Sequence, residues 1–122
     1  MNSATKAYAK TALETAPPRE LEASLLLQAA ARLQAVHDGW REKPTGLNEA
    51  ITFNRKLWTV FIDAVTHEDN RLPAAVRKNL TRLGVFVMGE TFSLMTKPDP
   101  THLTSLININ RGIAAGLRGK GS

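Results

Sequence analysis

Apolar side chains recur every three to four residues along four stretches of the chain, and this spacing places them on one face of an α-helix. The stretches run from Arg19 to about Trp40, from about Glu49 to Thr66, from Pro73 to about Thr96, and from Asp99-Pro100 to Gly119 and Gly121. No stretch shows the period of two that is typical of a half-buried strand. The pattern therefore predicts an all-α protein, a helical bundle of four main helices.

The large apolar residues of each stretch are the expected core. They are Leu21, Leu25, Leu26, Ala29, Leu33, Val36 and Trp40, then Ile51, Leu57, Trp58, Phe61, Ile62 and Val65, then Val76, Leu80, Leu83, Phe86, Val87 and Met95, and finally Leu103, Leu106, Ile107, Ile113 and Leu117. Gly84 and Gly89 interrupt the third stretch, and each costs roughly 1 kcal/mol of helix propensity relative to alanine. We therefore expect close packing or a bend at these two glycines.

Helix-breaking and capping residues separate the stretches. Asn48 is suited to cap the second helix, Pro73 to begin the third as its first residue, and Asp99 to cap the fourth. The expected connections are Lys43–Leu47, His67–Leu72 and Lys97–Pro100.

With 122 residues, the chain is long enough for one hydrophobic core and not for two. We expect a single helical domain over residues 1–122. Met1 to about Thr15 is either a short fifth helix or a flexible end, and Gly119 to Ser122 is a second flexible end.

The N-terminal residues carry lysines but no continuous apolar run, so no signal peptide is predicted. No segment reaches the roughly 18 to 20 apolar residues that a membrane span needs. The chain has no cysteine, which fits a reducing compartment. A cytoplasmic protein without membrane insertion is expected.

The net charge of +5 is spread along the chain instead of forming one basic cluster. Nucleic-acid-binding proteins usually concentrate their basic residues in a patch. A mildly basic surface is therefore the favoured interpretation, although binding of RNA stays an alternative.

No residue pattern points to catalysis. His37, His67 and His102 fall on different predicted elements, without the spacing that gathers a metal ion. No glycine-rich phosphate loop follows a strand, and no serine belongs to a nucleophile motif. The sequence predicts solvated histidines, no cofactor, no metal and no enzymatic activity.

Two segments combine an Asn-Arg pair with large apolar residues: Asn54-Arg55-Lys56-Leu57-Trp58 and Leu106-Ile107-Asn108-Ile109-Asn110-Arg111-Gly112-Ile113. A buried polar group without a partner costs about 1–3 kcal/mol. The favoured interpretation is that both pairs bond to other helices, with Glu20 or Glu22 as arginine partners. The functional alternative is that they line a groove and bond the backbone of a bound helix.

These segments belong to a longer series of motifs that resembles the flagellar biosynthesis regulator FlaF family of alphaproteobacteria. In order, the motifs are Ala7-Tyr8, Arg19-Glu20-Leu21-Glu22, Asn54–Trp58, Asn70-Arg71-Leu72-Pro73, Arg77, Leu106–Arg111 and Gly116-Leu117. The chain departs from the family pattern at Phe86, where the family tends to have tryptophan, and in the aliphatic segment Ala23 to Leu27. The resemblance implies a cytoplasmic factor for flagellin production or secretion that acts alongside the regulator FlbT and contacts flagellin.

The leading hypothesis is a flagellin-binding export chaperone. The terminal segments of flagellin form amphipathic helices that pack only in the filament, and a bundle with an apolar groove can cover such a helix. The candidate groove residues are Leu57, Trp58, Phe61, Ile109 and Ile113, with Asn54, Arg55, Asn110 and Arg111 as polar guides. The alternatives are a post-transcriptional regulator that binds flagellin messenger RNA and an adaptor that acts through FlbT.

Overall fold

The computed structural model describes residues 18–41 and 44–119, which form four helices joined by short connections. They are α1 (Pro18–Asp38), α2 (Leu47–Thr66), α3 (Ala74–Thr96) and α4 (Pro100–Leu117). No strand occurs among the described residues, so the all-α prediction is confirmed. The expectations for Met1 to about Thr15, for Lys43 and for the chain after Gly119 lie outside the described residues.

Each helix packs against the next one, and α4 makes its most extensive contact with α1. These two helices are antiparallel. Arg118, just after α4, lies 2.8 Å from a carboxylate oxygen of Glu20 at the start of α1. About two turns before Arg118, Arg111 donates a 3.3 Å hydrogen bond to Oε1 of Gln34, near the end of α1. The bundle is therefore closed by α4, which lies between α1 and α3.

The helix ends follow the predicted chemistry in one case and depart from it in two. Asp99 caps α4, where its Oδ1 accepts a 2.9 Å bond from the backbone N–H of Thr101. The prediction for α2 was wrong: its N-cap is Gly46, with a φ of 79°, and Asn48 lies within the first turn. Glycine adopts this left-handed conformation without the steric cost of a Cβ atom. Pro73 is the N-cap of α3 and not its first helical residue.

The core lies between the apolar faces of α1, α2 and α4 and one face of α3. Its members are Ala23, Leu26, Ala30, Leu33, Val36, Ala50, Ile51, Trp58, Phe61, Val65, Val87, Leu94, Leu103, Leu106, Ile107 and Ala114. The predicted stripes of α1, α2 and α4 are buried or half-buried throughout. Helix α1 ends at Asp38, before Trp40, which still packs against the core as a half-buried residue.

The stripe predicted for α3 needs correction. Val76, Phe86 and Met95 were expected in the core, but each of them is exposed. The buried side of α3 instead consists of Gly84, Val87, Thr91 and Leu94. The helix carries apolar residues on every side, and only the packing of α2 and α4 against it decides which side is covered.

The two glycines of α3 differ in their surroundings. A Cβ atom at Gly84 would lie 2.5 Å from Cδ1 of Ile62, so α2 and α3 approach closely there, as predicted. A Cβ atom at Gly89 would meet nothing within 4 Å, so no close packing explains the second glycine.

Candidate functional site

An apolar groove lies where the second half of α2, the first half of α3 and the end of α4 meet. Phe61 of α2, Leu80 of α3 and Ile113 of α4 belong to its lining. The remaining lining residues are Arg19, Leu72, Val76, Gly112, Gly116 and Leu117, and the cavity volume is about 310 Å³. Leu72 and Val76 are both exposed at this site, so apolar surface in the groove is in contact with solvent.

On the α4 side of the groove no side chains project at Gly112 and Gly116, which lie one helical turn apart. A Cβ atom at either position would meet no atom within 4 Å, so the absence of side chains leaves open space. Two residues four apart lie on the same side of a helix. A second backbone can therefore come close to α4 along this wall. Arg19, at the start of α1, is the one charged residue among those lining the groove.

A chain of hydrogen bonds crosses the core beside the groove. The indole Nε1 of Trp58 donates a 2.9 Å bond to Oδ1 of Asn110. The Nδ2 of Asn110 in turn donates a 2.7 Å bond to Oδ1 of Asn54. All three side chains are fully buried. The two asparagines thus join α2 to α4, which confirms the interpretation that they bond to another helix.

These hydrogen bonds satisfy all but one of the polar side-chain atoms of the two asparagines. The Nδ2 of Asn54 is buried and has no hydrogen-bond partner among the described residues. Bonds between the helices therefore account for three of the four polar side-chain atoms of the two asparagines and for the indole donor. An unsatisfied buried donor costs about 1–3 kcal/mol, so this position lowers the stability of the core.

The arginines of the two Asn-Arg pairs behave differently from the asparagines, because both are exposed. Arg111 bonds to Gln34, and Arg55 lines a surface depression beside Phe53 and Met95. The prediction that Glu20 or Glu22 is the arginine partner was wrong for these two arginines. Glu20 instead pairs with Arg118.

Glu22 lies on α1, half-buried. Burial disfavours the charged carboxylate and raises the pKa of Glu22 above its usual value. This glutamate therefore costs stability when it is ionised.

The nine predicted partner-binding residues thus occupy four environments. Asn54, Trp58 and Asn110 are fully buried in the core. Phe61, a buried core residue, and the half-buried Ile113 line the apolar groove. Leu57 and Ile109 are half-buried against the core. Arg55 and Arg111 are exposed on the surface.

The sequence prediction missed seven lining residues of the groove: Arg19, Leu72, Val76, Leu80, Gly112, Gly116 and Leu117. Leu72 was assigned to a turn, and Val76, Leu80 and Leu117 to the core. The glycine pair at a spacing of four within an otherwise apolar helix is the signal that could have indicated an open wall.

The three histidines also separate in the structure. His67 lies exposed in the connection before α3, and His37 is half-buried near the end of α1. His102 was expected in solvent, but it is half-buried and its Nδ1 contacts a carboxylate oxygen of Glu90, which joins α3 to α4. Within residues 18–41 and 44–119, no group of three His, Cys, Asp or Glu side chains could hold a metal ion.

None of the four helices combines the length and the apolar character that crossing a membrane requires.

Comparison with known proteins identifies the family. The family model described as Flagellar protein FlaF matches residues 4–117. The chain belongs to the FlaF family. The match includes every described helix and both Asn-Arg segments, so the buried hydrogen bonds and the apolar groove are features of a FlaF-family chain. Comparisons with curated proteins and with solved structures gave no match.

Proposed function

We propose that this FlaF-family protein binds a flagellin monomer in the cytoplasm before export and covers a terminal helical segment of it with the apolar groove. The observation that carries the proposal is the groove itself, in a protein of a flagellar family. Beside the buried Phe61, apolar residues of α3, of α4 and of the connection before α3 are left exposed or half-buried in it. The protein acts as a chaperone or secretion factor by binding, and not by catalysis.

The shape of the groove favours a helical ligand. The open wall at Gly112 and Gly116 allows the backbone of a bound helix to approach α4 closely. Across the groove, Leu72 and Val76 offer exposed apolar surface to a ligand. An amphipathic helix binds such a site through apolar anchors at a spacing of three to four residues.

Burial of apolar surface is expected to dominate the affinity, because Arg19 is the one charged lining residue. Screening is already extensive at moderate salt, where the Debye length is about 10 Å. Flagellin binding should therefore lose little affinity between low and moderate ionic strength. Binding of RNA through phosphate contacts would instead weaken steeply.

The test is to fill the groove without damaging the fold. Gly112→Leu adds a side chain where a Cβ atom meets nothing within 4 Å, and leucine favours a helix more than glycine does. The melting temperature should therefore stay the same or rise, while flagellin affinity falls by about tenfold or more, a change of about 1.4 kcal/mol.

Ala31→Leu is the matched control. It also places a leucine at an exposed position of a helix, but Ala31 lies on α1, outside the groove. In isothermal titration calorimetry with purified flagellin, the Ala31→Leu variant should bind flagellin as tightly as the unmodified chain does. If Gly112→Leu binds as tightly as Ala31→Leu, flagellin does not use the groove and the proposal is wrong.

A further inference from the structure

A second apolar surface lies on the outer side of α3, away from the core. Val85 is 68% exposed, Phe92 is 66% exposed and Met95 is 55% exposed. Together with the half-buried Met88 they form a row, the α3 stripe (Val85, Met88, Phe92 and Met95). None of the four residues lines the apolar groove, so the two surfaces are separate.

The spacing within the α3 stripe is three, four and three residues. This is the spacing at which one helix presents apolar side chains to a second helix that lies along it. Gly89 lies inside the row, and a Cβ atom there would meet no atom within 4 Å. A bound helix can therefore come closest at the middle of the stripe. Methionine side chains, which supply two of the four positions, adapt readily to a partner's surface.

Basic residues flank the stripe at both ends. Lys78 and Arg82 precede Val85 by seven and three residues, so they lie on the same side of the helix, and both are exposed. Neither forms a salt bridge with an acidic residue in the part of the chain that the structure describes.

At the other end of the stripe, Met95 shares a surface depression with Arg32 and Arg55, and with one acidic residue, Glu49. Lys97 follows directly after α3 and is exposed. The surroundings of the stripe are therefore positive on balance at both of its ends.

We infer that the α3 stripe is a docking surface for an amphipathic helix of another protein whose apolar residues are flanked by acidic side chains. The apolar row supplies the contact area, and the basic ends select an acidic partner, since opposite charges favour encounter and like charges disfavour it. This surface lies beyond the proposed groove, and its occupant does not depend on what the groove binds.

The same charges argue against a second copy of this chain as the occupant. In a parallel pair of stripes, Arg82 would face Arg82 of the other copy. In an antiparallel pair centred on Gly89, Arg82 would face the end of α3, where Lys97 follows. Like charges at such positions destabilise a helix pair.

The experiment measures the binding of two synthetic helical peptides to the full-length protein. Both have leucine at the a and d positions of every heptad. One carries glutamate at the flanking positions, and the other carries lysine there. Fluorescence anisotropy at low salt should show the acidic peptide binding, with the basic peptide weaker by at least about tenfold.

Two substitutions of the same kind make a matched pair. Val85→Ser removes an apolar side chain from the stripe, and Val60→Ser removes one from α2 that is equally exposed, at 69%. Val85→Ser should lower affinity for the acidic peptide severalfold, while Val60→Ser should leave it unchanged. Val85→Ser combined with Phe92→Ser should lower this affinity by about tenfold or more. Arg82→Glu should weaken the acidic peptide and strengthen the basic one.

Each other result overturns the proposal. If the acidic peptide does not bind, or if both peptides bind equally, charge does not select the partner. If Gly112→Leu abolishes peptide binding, the peptide lies in the groove and not on the stripe. If sedimentation shows a dimer that Phe92→Ser dissociates, the occupant of the stripe is a second copy of the chain.

Discussion

The indole of Trp58 and the side-chain amide of Asn110 are held together by a 2.9 Å hydrogen bond between residues that lie 52 positions apart in the sequence. Both side chains are fully buried, and Asn54 extends the contact on the α2 side. The bond fixes how α4 sits against α2, beside the residues of the same helices that line the apolar groove. The stability of the core and the shape of the groove therefore depend on the same pair of helices.

Removal of the central amide should be costly. Asn110→Ala takes the acceptor from Trp58 and the donor from Asn54, so the free energy of unfolding should fall by at least about 2 kcal/mol. The double variant Asn54→Ala/Asn110→Ala should lose less than the sum of the single losses, because Asn54 is no longer left unsatisfied. Urea denaturation of the three variants measures this coupling. Strictly additive losses would show that the two amides do not interact.

Trp58 itself should behave as a core residue. Trp58→Ala is expected to lower the free energy of unfolding by about 3–5 kcal/mol, because a large buried side chain leaves a cavity. Trp58→Phe keeps most of the aromatic volume beside Phe61 but removes the donor to Asn110, so it should cost less. A melting temperature that hardly moves with Trp58→Ala, together with lost partner binding, would place this tryptophan in a binding surface.

Replacement of glycine by alanine should have opposite effects on stability at the two glycines of α3. At Gly89 a methyl group meets open space, so Gly89→Ala should stabilise the protein by up to about 1 kcal/mol. At Gly84 the added Cβ atom would clash with Ile62, and overpacking of this kind costs about 1–3 kcal/mol. Thermal unfolding compares the two variants directly. Ile62→Ala should remove the clash and reduce the penalty of Gly84→Ala, and a penalty that persists would refute the steric explanation.

Glu22 should make stability depend on pH in a defined direction. Burial raises the pKa of Glu22, so the native state holds this proton more tightly than the unfolded chain does. Stability is therefore greatest below the unfolded pKa and is lost as pH rises through the raised one. Glu22→Gln should raise the melting temperature at neutral pH, and the gain should vanish in acid. A gain of equal size at every pH would exclude ionisation as its cause.

Asp99 should show the reverse dependence. Hydrogen bonds from the backbone N–H and then the hydroxyl of Thr101 lower the pKa of Asp99. Its contribution to stability is present above the unfolded pKa and is lost as pH falls through the lowered one. Asp99→Ala should reduce the melting temperature at neutral pH. Asparagine also caps helices well, so Asp99→Asn should recover most of the lost melting temperature. The stabilisation by this cap should then no longer decrease in acid.

The sequence predicted the helices, and it predicted the buried faces of α2 and α4 because each has a polar side opposite its apolar stripe. Polar and apolar residues are less clearly segregated in α1, whose buried face was predicted from the helical spacing of Leu26, Leu33 and Val36. The prediction failed on α3, where Val85, Phe86, Val87 and Met88 are consecutive apolar residues. Periodicity cannot select a buried face in such a run, and contacts with other helices decide it. The start of α2 was misplaced because Gly46 and Asn48 can both begin a helix by different mechanisms.

The candidate site was only partly predictable. Phe61 and Ile113 were selected because they belong to apolar faces, and both line the groove. The buried pairing of Asn54 with Asn110 depends on helix packing between residues 56 positions apart, which one sequence does not specify. The wall at Gly112 and Gly116 is open because no side chain of another helix packs over these glycines. Whether a neighbouring helix covers a residue is known only from the packed structure.

The most direct test is a calorimetric titration of the purified protein, free of nucleic acid, with full-length flagellin and with two truncated flagellins, each lacking one terminal segment. We expect one flagellin per chain, and loss of binding for the truncation that removes the segment held in the groove. The groove-filling Gly112→Leu variant should bind full-length flagellin weakly. Its affinity should be no higher than the affinity of the unmodified chain for the flagellin that lacks this segment. Equal binding of both truncations and the full-length protein, or no binding of any of them, would contradict the proposed role of the groove.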